Sequence, residues 1–386
     1  MQFIIKTTTR CNFRCVYCSE GDQPPQDLPL ALFEKLVDEI PTILPDGEQH
    51  VNILWHGGEP LLWGRERLAG AMRYAEEHLP GVQVTFSLQT NGYLLDEAWL
   101  ALFAAHHVRV GVSLDGSREL QDAHRPLRDG SPTFDVVWQN VQRLRQAQLG
   151  GSILMVVDTA EPIDAEKLFA FLAAHRLPCK INPLIPCGRA DGMDVQQIYA
   201  AYVDLLIALD RLSMASESDV PIAPIDQLLD TIVGGGSVQS CCYNGACAKH
   251  LVCLYADGNV GICGRDAGTE SLVYGSLAEH PLSELYHGAI ANELRTRGAY
   301  LAAHDCKGCT AWPFCRGGCT FEAFHAHGTW RAPFPFCKEY QRLVAFLRTE
   351  GLDLLRARLV RKKRAYRQRL AARRRLLEEV RQHARQ

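Results

Sequence analysis

Cys11, Cys15 and Cys18 stand in the string Cys11-Asn12-Phe13-Arg14-Cys15-Val16-Tyr17-Cys18, a Cys-x3-Cys-x2-Cys spacing. A cubane iron–sulfur cluster takes one thiolate per iron, four in all. Three thiolates from one short loop leave one iron open to a ligand that reacts. A structural zinc ion would want a fourth Cys or His at short spacing, and none follows within the next thirty residues. The chain has 15 cysteines, and ten of them fall between Cys241 and Cys337. Only Cys179 and Cys187 lie between the two groups. Ligation predicts such clustering, whereas inert core thiols would be spread out.

The second group has its own spacing. Cys247 is followed after ten residues by Gly258 and after four more by Cys263; then come Cys306-x2-Cys309-x5-Cys315-x3-Cys319 and Cys337. Cys241, six before Cys247, is a further ligand candidate, with Cys242 as its rival. Two zinc sites of four cysteines each fit the same count. Polar strings carry the remaining chemistry: Trp55-His56-Gly57-Gly58-Glu59-Pro60, Gln89-Thr90-Asn91-Gly92, Ser113-Leu114-Asp115-Gly116 and His124-Arg125. Consecutive glycines let backbone approach a ligand closely. Glu59 is an acceptor for an ammonium group, and Arg125 offers a fork for a carboxylate, with Arg128 as the alternative. Each of these strings is also common turn chemistry.

Alternating elements must position these residues. Short apolar runs at Phe3–Thr9, His50–Trp55, Gln83–Gln89, Val108–Leu114, Gly151–Val157 and Lys180–Leu184 read as parallel strands. Helical spacing marks Leu30–Ile40, Arg65–His78, Asp96–His106, Phe134–Gln146 and Asp164–His175. Six such units make an α/β fold, a partial (β/α)6 TIM-type barrel. Every polar string falls at the C-terminal end of a strand, where barrel enzymes keep their sites. Four regions are expected: the barrel over 1–187, a helical connection over 188–240, a Cys-rich domain over 241–340, and a helical tail over 341–386.

The N-terminal motif resembles that of the radical S-adenosylmethionine (SAM) enzymes, and the C-terminal spacing resembles the seven-cysteine SPASM domain. The resemblance covers nearly the whole chain apart from the tail. It implies three [4Fe–4S] clusters and SAM. Cys11, Cys15 and Cys18 would hold the SAM-binding cluster, whose electron cleaves SAM to a 5′-deoxyadenosyl radical. Gly57, Gly58 and Glu59 match the Gly-Gly-Glu-Pro motif that holds the methionine amine, Arg125 or Arg128 would take the carboxylate, and Tyr17 would meet the adenine. Asn91 and Ser113 would add contacts to the methionyl or ribose parts. By the same analogy one auxiliary cluster is held by Cys241, Cys247, Cys263 and Cys319, the other by Cys306, Cys309, Cys315 and Cys337.

The family acts mostly on peptides and proteins. The string His56-Gly57-Gly58-Glu59-Pro60-Leu61-Leu62 is closer to the maturases of ribosomally made peptides (RiPPs), which implies an oxidative cross-link, either carbon–carbon or thioether. Alternatives are peptide epimerisation and formylglycine formation, as in anaerobic sulfatase-maturing enzymes. Those maturases carry a basic Asp directly after the counterpart of Cys263, whereas here that position is Gly264, with Asp266 two residues further on as the candidate base. An iron–sulfur or zinc scaffold is the non-enzymatic alternative. The implied partners are a precursor peptide, a flavodoxin or ferredoxin as electron donor, and a separate leader-peptide-binding protein, since the first cluster loop already begins at residue 11.

The formal charge is −3. From Arg356 onward thirteen Arg and Lys face only Glu378 and Glu379, so the tail carries +11 and the remainder −14. The tail reads as a basic helix, solvated, docked on the acidic body, or holding an acidic peptide. Charge alone permits nucleic-acid binding, but no fold motif supports it. No apolar run reaches membrane-spanning length and no signal peptide opens the chain, so a cytoplasmic protein is expected.

Overall fold

The computed structural model describes residues 1–158, 162–236, 238, 242–245, 247–265, 272–364 and 368. Within them the strands are β1 (Gln2–Lys6), β2 (His50–His56), β3 (Gln83–Thr90), β4 (Arg109–Ser113), β5 (Gly150–Val157), β6 (Cys179–Pro183), β7 (Ile222–Ala223), β8 (Leu251–Leu254), β9 (Asn259–Gly261) and β10 (Val273–Ser276). They join in one sheet of order β10-β9-β8-β1-β2-β3-β4-β5-β6-β7. From β8 to β7 every pair is parallel; β9 and β10 close one edge in antiparallel pairing. This is the α/β architecture expected from the six βα units, with the six expected strands side by side in its centre.

Four strands, β7 to β10, go beyond the six expected. The connection supplies β7, which pairs with β6, and the Cys-rich segment supplies β8, which pairs with β1 in the register Gln2↔Leu251, Phe3↔Val252 and Ile4↔Cys253. The sheet therefore runs through both expected boundaries. β1 is also shorter than the run ending at Thr9. Beyond Lys6 the chain leaves the sheet: Thr9 N donates to Gln26 O at 2.9 Å, while Gly58 N and Glu59 N donate to Thr8 O and Arg10 O at 2.8 Å.

Alternation along each strand separates two faces. On β2, Val51, Ile53 and Trp55 are wholly buried. Phe33, from the helix Leu30–Glu39, lies 5.1 Å from the Trp55 ring. The other face is polar and knitted together: Gln2 bonds Asn52, Asn52 bonds Thr85, Ser87 bonds Asn52 and Gln89 bonds Ser113. A sheet face built this way is a wall for a polar ligand rather than a core.

Helix starts follow capping chemistry. Asp96 and Asp164 stand just outside their helices, and their carboxylates accept from Trp99 N and Lys167 N. A short helix, Arg118–His124, capped by Ser117, follows β4. The helix Cys337–Phe346 passes through a π turn at Leu347–Gly351 and continues over 352–364. There Arg358 bonds Ser218 O and, at 2.8 Å, Asp219; Lys362 also reaches Asp219, and Arg361 reaches Met214 O. Cations so placed complement the carbonyl-rich C-terminal end of the helix Val195–Ala215. The first part of the basic tail is thus docked on the body. Among the described residues no helix is long and apolar enough to cross a membrane.

Candidate active site at the strand ends

The three-cysteine loop follows β1 and is clamped from two sides. On one side it pairs with the segment after the helix Arg118–His124: Arg14 N donates to Pro126 O and Val16 N to His124 O, both at 2.9 Å, and the Arg128 side chain donates to Cys11 O at 2.7 Å. On the other side the turn after β6 closes on it. Arg189 donates from its backbone to Cys18 O and from its side chain to Cys15 O, each at 3.0 Å. Gly188, at φ +63°, lies so near the loop that a Cβ there would stand 2.3 Å from Cys18 O. Neither Gly188 nor Arg189 carried any signal in the sequence.

The loop's thiols are neighbours. Burial, then Glu59 and the other two thiols, push the Cys11 thiol up to about 12, while Cys15 is raised to about 11, chiefly by burial. The buried Asn12 Nδ2 has no hydrogen-bond partner. Three thiols whose charges oppose one another, with an unpaired donor among them, fit a cationic metal centre that would hold them as thiolates.

Gly57 and Gly58 are needed for close approach. A Cβ on Gly57 (φ +143°) would lie 2.5 Å from Thr8 O, and one on Gly58 2.4 Å from Arg10 O. Their smallness lets the β2 end pack against the chain entering the cysteine loop. Glu59 is fully buried. One oxygen accepts from Leu61 N at 3.1 Å and Thr90 Oγ1 at 2.7 Å, the other from Asn91 N at 2.8 Å. Burial outweighs these bonds and lifts its carboxyl to about 7. Asn91 turns its amide to Asn12 Oδ1 at 2.7 Å and to Cys11 Sγ at 3.9 Å. Ser113 accepts from Gln89 at 3.0 Å on the polar sheet face. His56 accepts from Gly57 N at Nδ1, 2.8 Å, and burial, then Lys6, hold its imidazole down near 3. It stays neutral, with Nε2 carrying the proton.

Asp115, to which the sequence assigns no individual role, is the hub of the site. It is fully buried and takes both arms of Arg125 at 3.0 Å, the Tyr17 hydroxyl, and Val156 N at 3.0 Å. Burial alone would raise its carboxyl; Arg125, His124 and Tyr17 outweigh it and draw it down to about 2. The fork of Arg125 is engaged by Asp115, and its guanidinium lies 5.2 Å from the Tyr17 ring centroid. His124 Nδ1 stands 3.4 Å from Asp158 Oδ1 and 3.8 Å from Asp115. Asp115, ahead of Asp158, pulls that imidazole up. The structure thus brings Tyr17, Gly57, Gly58, Glu59, Asn91, Ser113 and Arg125 to the strand ends around the cysteine loop.

Eight of the other cysteines form two sets. Cys242, Cys247, Cys263 and Cys319 line one small cavity with Leu251, Ile262, Arg265 and Phe321. Cys241, expected in this set, lies outside the described residues, as does Asp266. Cys306, Cys309, Cys315 and Cys337 form the second set; burial first, then one another's charge, lift Cys306 to about 11 and Cys315 to about 12. Between the sets sits Arg297, buried, donating to four carbonyls: Trp330 O at 2.6 Å, Gly317 O at 2.8 Å, and Gly318 O and Ala332 O at 2.9 Å. It feels Cys247 and Cys319 of one set and Cys306 and Cys315 of the other. A buried cation shared by two thiol sets fits two anionic clusters. Among the described residues no three His, Cys, Asp or Glu side chains converge as a single metal ion would require.

Residues 5–172 match the radical SAM superfamily. The chain is 28% identical over 355 residues to a serine-type anaerobic sulfatase-maturating enzyme of Klebsiella pneumoniae, covering 89% of this chain and 87% of that protein. It is 27% identical over 337 residues to a cysteine-type anaerobic sulfatase-maturating enzyme of Clostridium perfringens, covering 83% and 88%. Among solved structures, native anSMEcpe with bound AdoMet superposes with a TM-score of 0.79 at 22% identity, covering 92% of this chain and 98% of that one. Streptococcus suis SuiB bound to precursor peptide SuiA superposes at 0.62 with 13% identity, covering 87% and 75%.

Proposed function

We propose that this chain, an enzyme carrying a radical SAM domain over residues 5–172, matures a peptide by removing two hydrogens and closing an oxidative cross-link. The observation that carries this reading is at Gly264. Sulfatase maturases would carry a basic Asp there, directly after Cys263. Here a Cβ at that position would stand 2.8 Å from Ile4 Cγ2, so Ile4 fills the space a base would need. Formylglycine formation is the second reading, favoured by similarity to sulfatase-maturating relatives over 89% of the chain.

Bound, SAM and the clusters would supply a hydrogen-abstracting radical and a sink for the remaining electron. The chain's own part is positioning. Cys11, Cys15 and Cys18 hold the SAM-side cluster; Asp115 fixes Tyr17 and Arg125 beside it; and Glu59 ties the β1, β2 and β3 ends together. We assign the auxiliary clusters to the two cysteine sets, with Cys242 as the fourth ligand of the first because it shares their cavity. The polar sheet face, with Lys6, Asn52, His56 and Gln89, is the surface offered to peptide backbone.

The test is anaerobic turnover of the reconstituted enzyme with SAM and reductant, on two substrates: the peptide encoded beside this gene and a sulfatase-derived peptide. A two-hydrogen mass loss in the first, with fragmentation blocked between two residues and no aldehyde captured by a hydrazide, is the expected outcome. An aldehyde formed in the sulfatase peptide would replace the cross-linking reading by the second. Cys15→Ala should abolish deoxyadenosine formation; persistent cleavage would refute the assignment of the SAM-side ligands, and no cleavage by the unaltered protein would favour a scaffold.

A further inference from the structure

The two cysteine sets differ in what surrounds their sulfurs. The first is lined by Leu251, Ile262, Phe321 and Arg265, whose backbone N donates to Cys263 Sγ at 3.3 Å. The second borders an open pocket lined by Thr310, Ala311, Gln341, Val344 and Arg348. Cys337 opens the helix Cys337–Phe346, and Gln341 lies one turn on, where side chains four apart share a face. Its Nε2 stands 3.3 Å from Cys337 Sγ and 3.7 Å from Cys309 Sγ. An amide nitrogen has two hydrogens to give, one for each sulfur.

We propose that Gln341 raises the reduction potential of the second auxiliary cluster by donating to two of its sulfurs. The inference rests on the two-cluster reading given above. Hydrogen bonds to cluster sulfurs and access of water both favour the more negatively charged, reduced state, and so raise the potential. At the second set Gln341 offers its side-chain donor to two sulfurs beside an open pocket. Gln341 acts through the cluster and touches no substrate.

The experiment is an EPR-monitored redox titration of the reconstituted holoenzyme and of a Gln341 series, with iron content measured throughout. The second-cluster signal is the one that disappears in Cys315→Ala. Gln341→Leu keeps the bulk and removes both donors, so this signal should titrate at lower potential. Gln341→Glu, which turns negative charge on the sulfurs, should lower it further, and Gln341→Lys, which restores a donor, should bring it back or beyond. The other two clusters should titrate unchanged in every variant. A second cluster that is loaded but titrates at one potential across the series overturns this inference and leaves the function standing. Unaltered protein that loads no second auxiliary cluster overturns the cluster reading and the inference together.

Discussion

At the residue scale, Asp115 is the carboxylate on which the site depends. Its partners draw it down to about 2 from an ordinary 3.8. A depressed acid contributes stability that is present above its unfolded pKa and lost as pH falls through the folded one, here between about pH 4 and pH 2, and amounts to about 2 kcal/mol. Asp115→Asn should cost more than that at neutral pH, about 3–5 kcal/mol, because Arg125 is left buried without its counter-charge. Denaturant melts of the apoprotein at neutral pH measure it. Glu59 has the opposite sign. Its raised carboxyl, from 4.5 to about 7, means the folded protein keeps a proton that the unfolded chain has released. Stability should therefore fall as pH rises through that window, by up to about 3 kcal/mol. Glu59→Gln should flatten the slope between pH 5 and 7.5; an unchanged slope would show that Glu59 is not its source.

At the element scale, the close approach at Gly58 sets how the cysteine loop leaves β1. Gly58→Ala must push apart backbone now 2.4 Å from the added carbon. We expect the variant to lose SAM-side iron and at least about tenfold of SAM cleavage, with the C-terminal clusters intact. Arg297→Met removes donors from four carbonyls at once. It should strip iron from both C-terminal sets and destabilise the Cys-rich part by about 3 kcal/mol; loss from only one set would contradict the shared role. These elements also mark what the sequence could and could not reveal. β2 and the helix Arg65–His78 were legible because their apolar periods are long and Gly or Pro stands near their ends. β8 was not, because a four-residue apolar run inside a cysteine framework has no period of its own. The strand-end strings were legible as motifs, yet the roles of Asp115 and Arg189 were not: their partners lie 10 to 174 residues away in sequence. Only folding brings those groups into contact, and local pattern cannot register it.

At the scale of the whole molecule, the sheet binds the first and last thirds of the chain. β1 is flanked by β2 on one side and by β8, from the Cys-rich segment, on the other. A fragment ending at residue 240 would keep every strand-end motif but bare one edge of β1 and the apolar side of Ile4, which packs on Leu251, Cys253 and Tyr255. Such an edge invites strand-to-strand association. The fragment should aggregate or melt without a cooperative transition, as scattering and calorimetry would register. A monomeric fragment with a sharp transition would show that the barrel part stands alone.

The pairing of β1 with β8 also sets an order in time. Residues 2–5 are made before their neighbours at 251–254, which follow about 250 residues later. At about 5–20 residues per second, that is some 10–50 s during which one edge of the nascent sheet stays open. Throughout that interval the strand leading into Cys11 lacks one of its two neighbours. The cysteine loop is thus the first part of the site to be synthesised, while the strand leading into it is among the last to gain both of its neighbours.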